Sequence, residues 1–163
     1  MGCRDDYDVE LGIFVRRIDI AASSPPGEPM RYMMLIYSRE TDTPMSAEEM
    51  EDLSRRHREV IEETARIGIF RGAEPLRPTT TATTLRRHAG QVLATDGPFA
   101  ETKEQLAGYY ILDCKDLDEA IHWGSRIPTG CKGREGCVEV RPVEEVISCA
   151  IADTARQLMA ARD

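Results

Sequence analysis

The sequence predicts an α+β domain in which one sheet carries two helices on one face. Three observations carry this expectation. Residues 31–37 (RYMMLIY) and 109–112 (YYIL) are apolar at successive positions, the mark of strands covered on both sides. Two segments, opening at Ser46 and Asp116, carry helix start signals. Between them, residues 81–87 and 91–95 alternate about a His88-Ala89-Gly90 turn and read as a hairpin.

Each element has a local reason. The first strand, residues 31–37, leads to Ser46, which with Glu49 makes a capping box, and Glu48, Glu51 and Asp52 sit where a helix N-terminus favours acids. This helix runs to about Arg66 and ends at Gly68. Residues 69–72 begin a second strand, and residues 79–84 belong to a threonine-rich strand that enters the hairpin. After residues 109–112, Asp116 with Glu119 caps a second helix that Pro128 stops, and residues 138–141 make the last strand. The order β-α-β-β-β-α-β is close to a ferredoxin-like split βαβ unit with an elaborated hairpin.

Two helices cover one face of such a sheet. The other still carries Met, Leu, Ile and Tyr in alternation, an apolar patch larger than monomers usually leave open. A second copy of the sheet is the simplest cover, giving a homodimer; residues 1–29 or 144–163 are the other available cover. The domain is expected over residues 30–147. Before it, residues 1–29 form an arm in which Val9, Leu11, Ile13 and Val15 alternate, ending in the linker Ser23-Ser24-Pro25-Pro26-Gly27-Glu28-Pro29. After it, residues 148–163 form a tail of helix formers.

Composition narrows the partners. With a formal charge of −8 and no basic stripe beyond Arg86, Arg87 and His88, the chain is unsuited to a nucleic-acid groove. No apolar run reaches the ~20 residues of a membrane span. The N-terminus lacks a signal-peptide pattern, and Asp6 stands where myristoylation after Gly2 wants Ser or Thr. The five cysteines, Cys3, Cys114, Cys131, Cys137 and Cys149, include no CxxC pair. A cytoplasmic protein with reduced thiols is expected, although Cys131 and Cys137 could approach across their loop as a disulfide or metal pair.

Among titratable groups His57 stands out. Met50, Leu53, Val60, Ile61 and Thr64 mark the inward stripe of the first helix, and His57 lies on it. An imidazole held there can act as general acid or base, or can simply be a core histidine satisfied by a carbonyl or carboxylate. His88 and His122 read as exposed, and the histidines show no metal-ligand spacing. No GxGxxG, P-loop or GxSxG occurs, so no cofactor is expected.

The most informative stretch is Thr95-Asp96-Gly97-Pro98-Phe99-Ala100-Glu101-Thr102-Lys103-Glu104, followed by Gly108-Tyr109-Tyr110. Asp96-Gly97 is a turn signal and Pro98 removes a backbone donor. The stretch resembles the signature of DGPF-domain proteins, a bacterial branch of the YCII-related family. That resemblance implies a dimeric α/β barrel and places a catalytic pair at His57 and Asp96, with Asp96 fixing the imidazole tautomer. Phe99, Tyr109 and Tyr37 are the candidate substrate-binding residues. Phe99 has the alternative of plugging the core, Asp96 that of an ordinary turn residue, and Tyr109 and Tyr110 must point to opposite faces. Two functions follow from the resemblance. One is a metal-independent small-molecule enzyme, of the isomerase or lyase type, using the His-Asp pair. The other is a non-catalytic ligand-binding or regulatory module associated with sigma-factor-linked transcriptional control.

Overall fold

A computed structural model describes residues 3–8, 13–18, 29–41, 43–130 and 136–144. Near the N-terminus, β1 (Cys3–Asp8) and β2 (Ile13–Ile18) pair as an antiparallel hairpin. The alternation expected from Val9 to Val15 thus places Ile13 and Val15 in β2, whereas Val9 and Leu11 lie outside the described residues. So do residues 19–28, which include all of the linker but Pro29, residues 131–135 with Cys131, and residues 145–163, which include the whole tail.

The domain continues with β3 (Met30–Ser38), α1 (Ala47–Arg66), β4 (Phe70–Pro75), β5 (Thr83–His88), β6 (Gln91–Asp96), β7 (Gln105–Cys114), α2 (Leu117–Arg126) and β8 (Gly136–Pro142). Four strands form one antiparallel sheet in the order β4-β7-β3-β8. β3 and β4, joined through α1, lie on either side of β7, which is the split βαβ arrangement. The hairpin β5–β6 does not join that sheet. It forms a separate two-stranded ribbon, turned by Ala89 and Gly90 with φ of 47° and 80°, a pair of positive angles typical of tight hairpins.

Both helices begin as their sequences dictate. Ser46 Oγ accepts the Glu49 amide at 3.2 Å while the Glu49 carboxylate accepts the Ser46 amide at 2.8 Å. Asp116 accepts the Glu119 amide at 2.8 Å. The helices cover one face of the sheet and bury Tyr32, Met34 and Ile36 of β3, Tyr110, Leu112 and Cys114 of β7, Val60 of α1, and Ala120 and Trp123 of α2. Met34 and Leu112 are fully buried, each contributing roughly 1.5–3 kcal/mol of transfer free energy. Arg126 ties α2 to α1 through both Glu63 oxygens, at 2.7 and 2.8 Å, and lies over the Trp123 ring.

The alternate residues Met33, Leu35, Tyr37, Tyr109 and Ile111 point to the second face, where they are half-buried. Among the described residues no helix packs there. At its far end Arg31 and Arg71 converge on Asp113, with Nε–O distances of 2.9 and 2.6 Å. Burial raises the Asp113 pKa, but hydrogen bonds from the two guanidinia outweigh it and hold the carboxyl below its ordinary value.

Two local expectations are corrected. Thr79–Thr81 is a turn of 3₁₀ helix rather than strand, because the Glu40 carboxylate accepts both the amide and the hydroxyl of Thr79 at 2.8 Å. Met50 is 47% exposed and does not belong to the inward stripe. That stripe consists of Val60 and Thr64, both buried, with Leu53, His57 and Ile61 half-buried beside them.

Candidate functional site

His57 is carried by the middle of α1 over β7. Its Nδ1 lies 2.7 Å from the phenol oxygen of Tyr110, and the two rings are stacked with an interplanar angle of 19°. Tyr110 is on the helix-covered face because it alternates with Leu112 and pairs with Met34 across the ladder. Burial pushes the phenol up to about 12, so it keeps its proton at neutral pH. Burial, and then the neighbouring Arg56 charge, hold His57 below the ordinary histidine value. The phenol can donate to Nδ1 or accept from Nδ1–H, according to the tautomer; with the ring proton on Nδ1, the lone pair lies on Nε2. Nε2 makes no hydrogen bond to any described residue and is not sealed from solvent. The site therefore offers an oriented imidazole with one nitrogen engaged and the other available.

Asp96 stands elsewhere. It ends β6 on the ribbon, is exposed, and makes no hydrogen bond or ion pair with His57 within the chain. Gly97, at a φ of 94°, closes the foot of the ribbon: its amide donates to Ala82 O and its carbonyl accepts from Thr84 Oγ1, both at 2.8 Å. Only glycine enters that backbone region without strain, which explains the Asp-Gly pair on structural grounds alone. Phe99 is 76% exposed, so the core-plug alternative is overturned; the ribbon on whose foot it sits contributes no residue to the core. Its carbonyl accepts from Arg86 at 2.8 Å. Gly108 has a packing reason, since a Cβ there would lie 2.9 Å from the Glu74 carbonyl of β4.

Tyr37 and Tyr109 are on the second face. Tyr37 lines an open cleft of about 700 Å³ with Arg39, Thr102, Lys103, Glu104, Cys137 and Glu139. Tyr109 and Phe99 are not part of its lining. The structure thus separates the site residues: His57 joins Tyr110 under the helices, Tyr37 joins the cleft, and Asp96 and Phe99 stay on the ribbon. Tyr110 is the partner that sequence reasoning missed. Its signal was partial: strand alternation puts Tyr110 on the same face as Leu112, and the structure puts α1 over that face. His88 and His122 are exposed, the latter edge-on to Trp123 at 5.2 Å. Among the described residues no group of three His, Cys, Asp or Glu is assembled that could hold a metal. Cys114 is buried and its thiol is pushed up to about 12, chiefly by burial, leaving it inert.

Residues 30–147 match the YCII-related domain. The uncharacterized protein R00369 of Rhizobium meliloti (strain 1021) is 41% identical over 119 residues, a stretch that spans 70% of this chain and 92% of that relative. No helix among the described residues is long and apolar enough to cross a membrane.

Proposed function

This chain belongs to the YCII-related family, and from that premise we propose a small-molecule enzyme of the isomerase or lyase type in which His57 moves the proton. The observation that carries this reading is the 2.7 Å contact between His57 Nδ1 and the Tyr110 phenol. It orients the ring, and with Nδ1–H donated to the phenol oxygen the Nε2 lone pair is the group that would take a proton from a carbon beside a carbonyl and return it elsewhere on the substrate. A neutral imidazole is the form a general base requires. Tyr110 acts as a positioning residue. Asp96 enters as the second member of the pair only where assembly or substrate brings the ribbon onto α1, since hydrogen bonds of this kind often tighten only in the complex. Assembly as a homodimer, a second copy covering the helix-free face, belongs to the same proposal.

The test is a screen of small lactones and unsaturated acids for turnover or for exchange of carbon-bound hydrogen, with wild type and His57→Ala side by side. Turnover should require His57, and the acid limb of its pH profile should coincide with the imidazole titration followed by NMR. Equal conversion by the two proteins, or none by either, would sink the reading. A second reading, a non-catalytic ligand-binding or regulatory module, draws support from the cleft, which lies on the face opposite His57. It gains if the cleft binds a ligand that is never transformed.

A further inference from the structure

We propose that the cleft framed by Arg39 and Lys103 on the helix-free face is a binding site for a small carboxylate. The inference does not rest on the His57 reading, because none of the cleft residues touches that pair.

Three segments distant in the chain build the cleft: the end of β3 with Tyr37 and Arg39, the loop bearing Thr102, Lys103 and Glu104, and β8 with Cys137 and Glu139. It contains two cations and two carboxylates, but the charges are not equally committed. Glu139 lies beside Arg141, with 3.7 Å between charged atoms, and, after burial, its charge helps to raise the Tyr37 phenol above the ordinary tyrosine value. Glu104 accepts the Cys137 thiol at 3.6 Å. Arg39 and Lys103 have no partner among the described residues. Neither cation is ion-paired with the two carboxylates of the lining, so both can turn to an anion in the open volume.

The loop that presents Lys103 is held in place. Gln105 donates from its amide nitrogen to Thr102 O at 2.6 Å and accepts the Glu40 amide on its oxygen at 3.0 Å. Thr102 Oγ1 donates to Glu104 O at 2.6 Å. Gln105 therefore locks the loop carrying Lys103 to the chain just after Arg39. This preorganisation lowers the ordering cost of binding.

The lining also selects the anion. A guanidinium fork fits a planar carboxylate, and an ammonium adds a second point of attachment. Glu104 and Glu139 disfavour a doubly charged phosphate, which would meet both at short range. The Tyr37 ring offers a flat wall for an organic body, and a volume of about 700 Å³ is within the range of small-molecule sites.

The experiment is an NMR titration of the full chain with benzoate, with the neutral isostere benzamide and inorganic phosphate as comparison probes. Benzoate should shift the backbone amides of residues 37–39 and 102–105 saturably in the millimolar range, while benzamide and phosphate bind more weakly. Arg39→Gln and Lys103→Gln should each weaken benzoate roughly tenfold, the loss of one charge-assisted contact. Arg86→Gln, an exposed cation outside the cleft, should leave it unchanged. All these positions are exposed, so the variants should fold. No saturable response, equal binding of benzamide, tighter binding of phosphate, or unchanged affinity in both cleft variants would each overturn the proposal.

Discussion

Tyr109 and Tyr110 are neighbours in β7, yet they live in different solvents. Tyr110 faces the helices, is 2% exposed and holds its proton to about 12, bonded to His57. Tyr109 faces the opposite side, half-buried among Met33, Leu35 and Ile111. The same division runs through the sheet: the helix-covered face is closed and sets the chemistry of what it buries, whereas the second face keeps apolar side chains and a charged cleft within reach of partners. One residue step along a strand decides between these environments.

The comparison predicts unequal costs for equal truncations. Leu112→Ala on the closed face should lower unfolding free energy by about 2–5 kcal/mol in urea titrations, and Leu35→Ala on the second face by clearly less, measured at a protein concentration too low for association. Equal losses would mean that the two faces are equally packed. Leu35→Asp sharpens the point from the other side. If a second copy covers this face, light scattering should give about twice the 18.3 kDa chain mass for wild type and a single chain for the variant. A wild type already at the single-chain mass would remove the dimer from the proposal.

Tyr110→Phe should cost about 1–3 kcal/mol by leaving the buried Nδ1 without its hydrogen-bond partner, and should shift the His57 ring resonances in NMR spectra. Tyr109→Phe should move neither. The pH dependence follows from the direction of the His57 shift. A folded-state value below the unfolded value of 6.5 means that the unfolded chain binds more protons between the two. The contribution of His57 to stability is thus fully present above about pH 6.5 and is lost as pH falls through the folded value. His57→Phe should flatten that part of the denaturation-versus-pH curve; an unaltered slope would show that the imidazole is not held neutral by folding. The smallest effect lies on the ribbon, where Ala89→Gly should stabilise by up to about 1 kcal/mol by relieving a φ of 47°.

The fold was largely legible because its signals are local. The capping box at Ser46, the Asp116 cap and the apolar strands at residues 31–37 and 109–112 each report on a few neighbouring residues, and each reappears in the structure. Thr79–Thr81 was misread because the Glu40 carboxylate that winds it comes from 39 positions away. The site was less legible. Strand alternation placed Tyr109 and Tyr110 on opposite faces but could not say which one α1 would cover, so the imidazole's partner went unnamed. Asp96 looked attached to His57 only through resemblance, and within the chain it stands on a separate ribbon.

What the sequence determined by itself is the set of elements, their caps and turns, and the stripe that turns His57 inward, since each depends on interactions within a turn or two of chain. Tertiary structure alone decided that His57 meets Tyr110 across 53 residues, that β5–β6 stands apart from the main sheet, and that Arg39, Lys103 and Glu139 share one cleft. Those contacts depend on strand order and register, which arise when the whole sheet closes on one buried face and which no local pattern encodes.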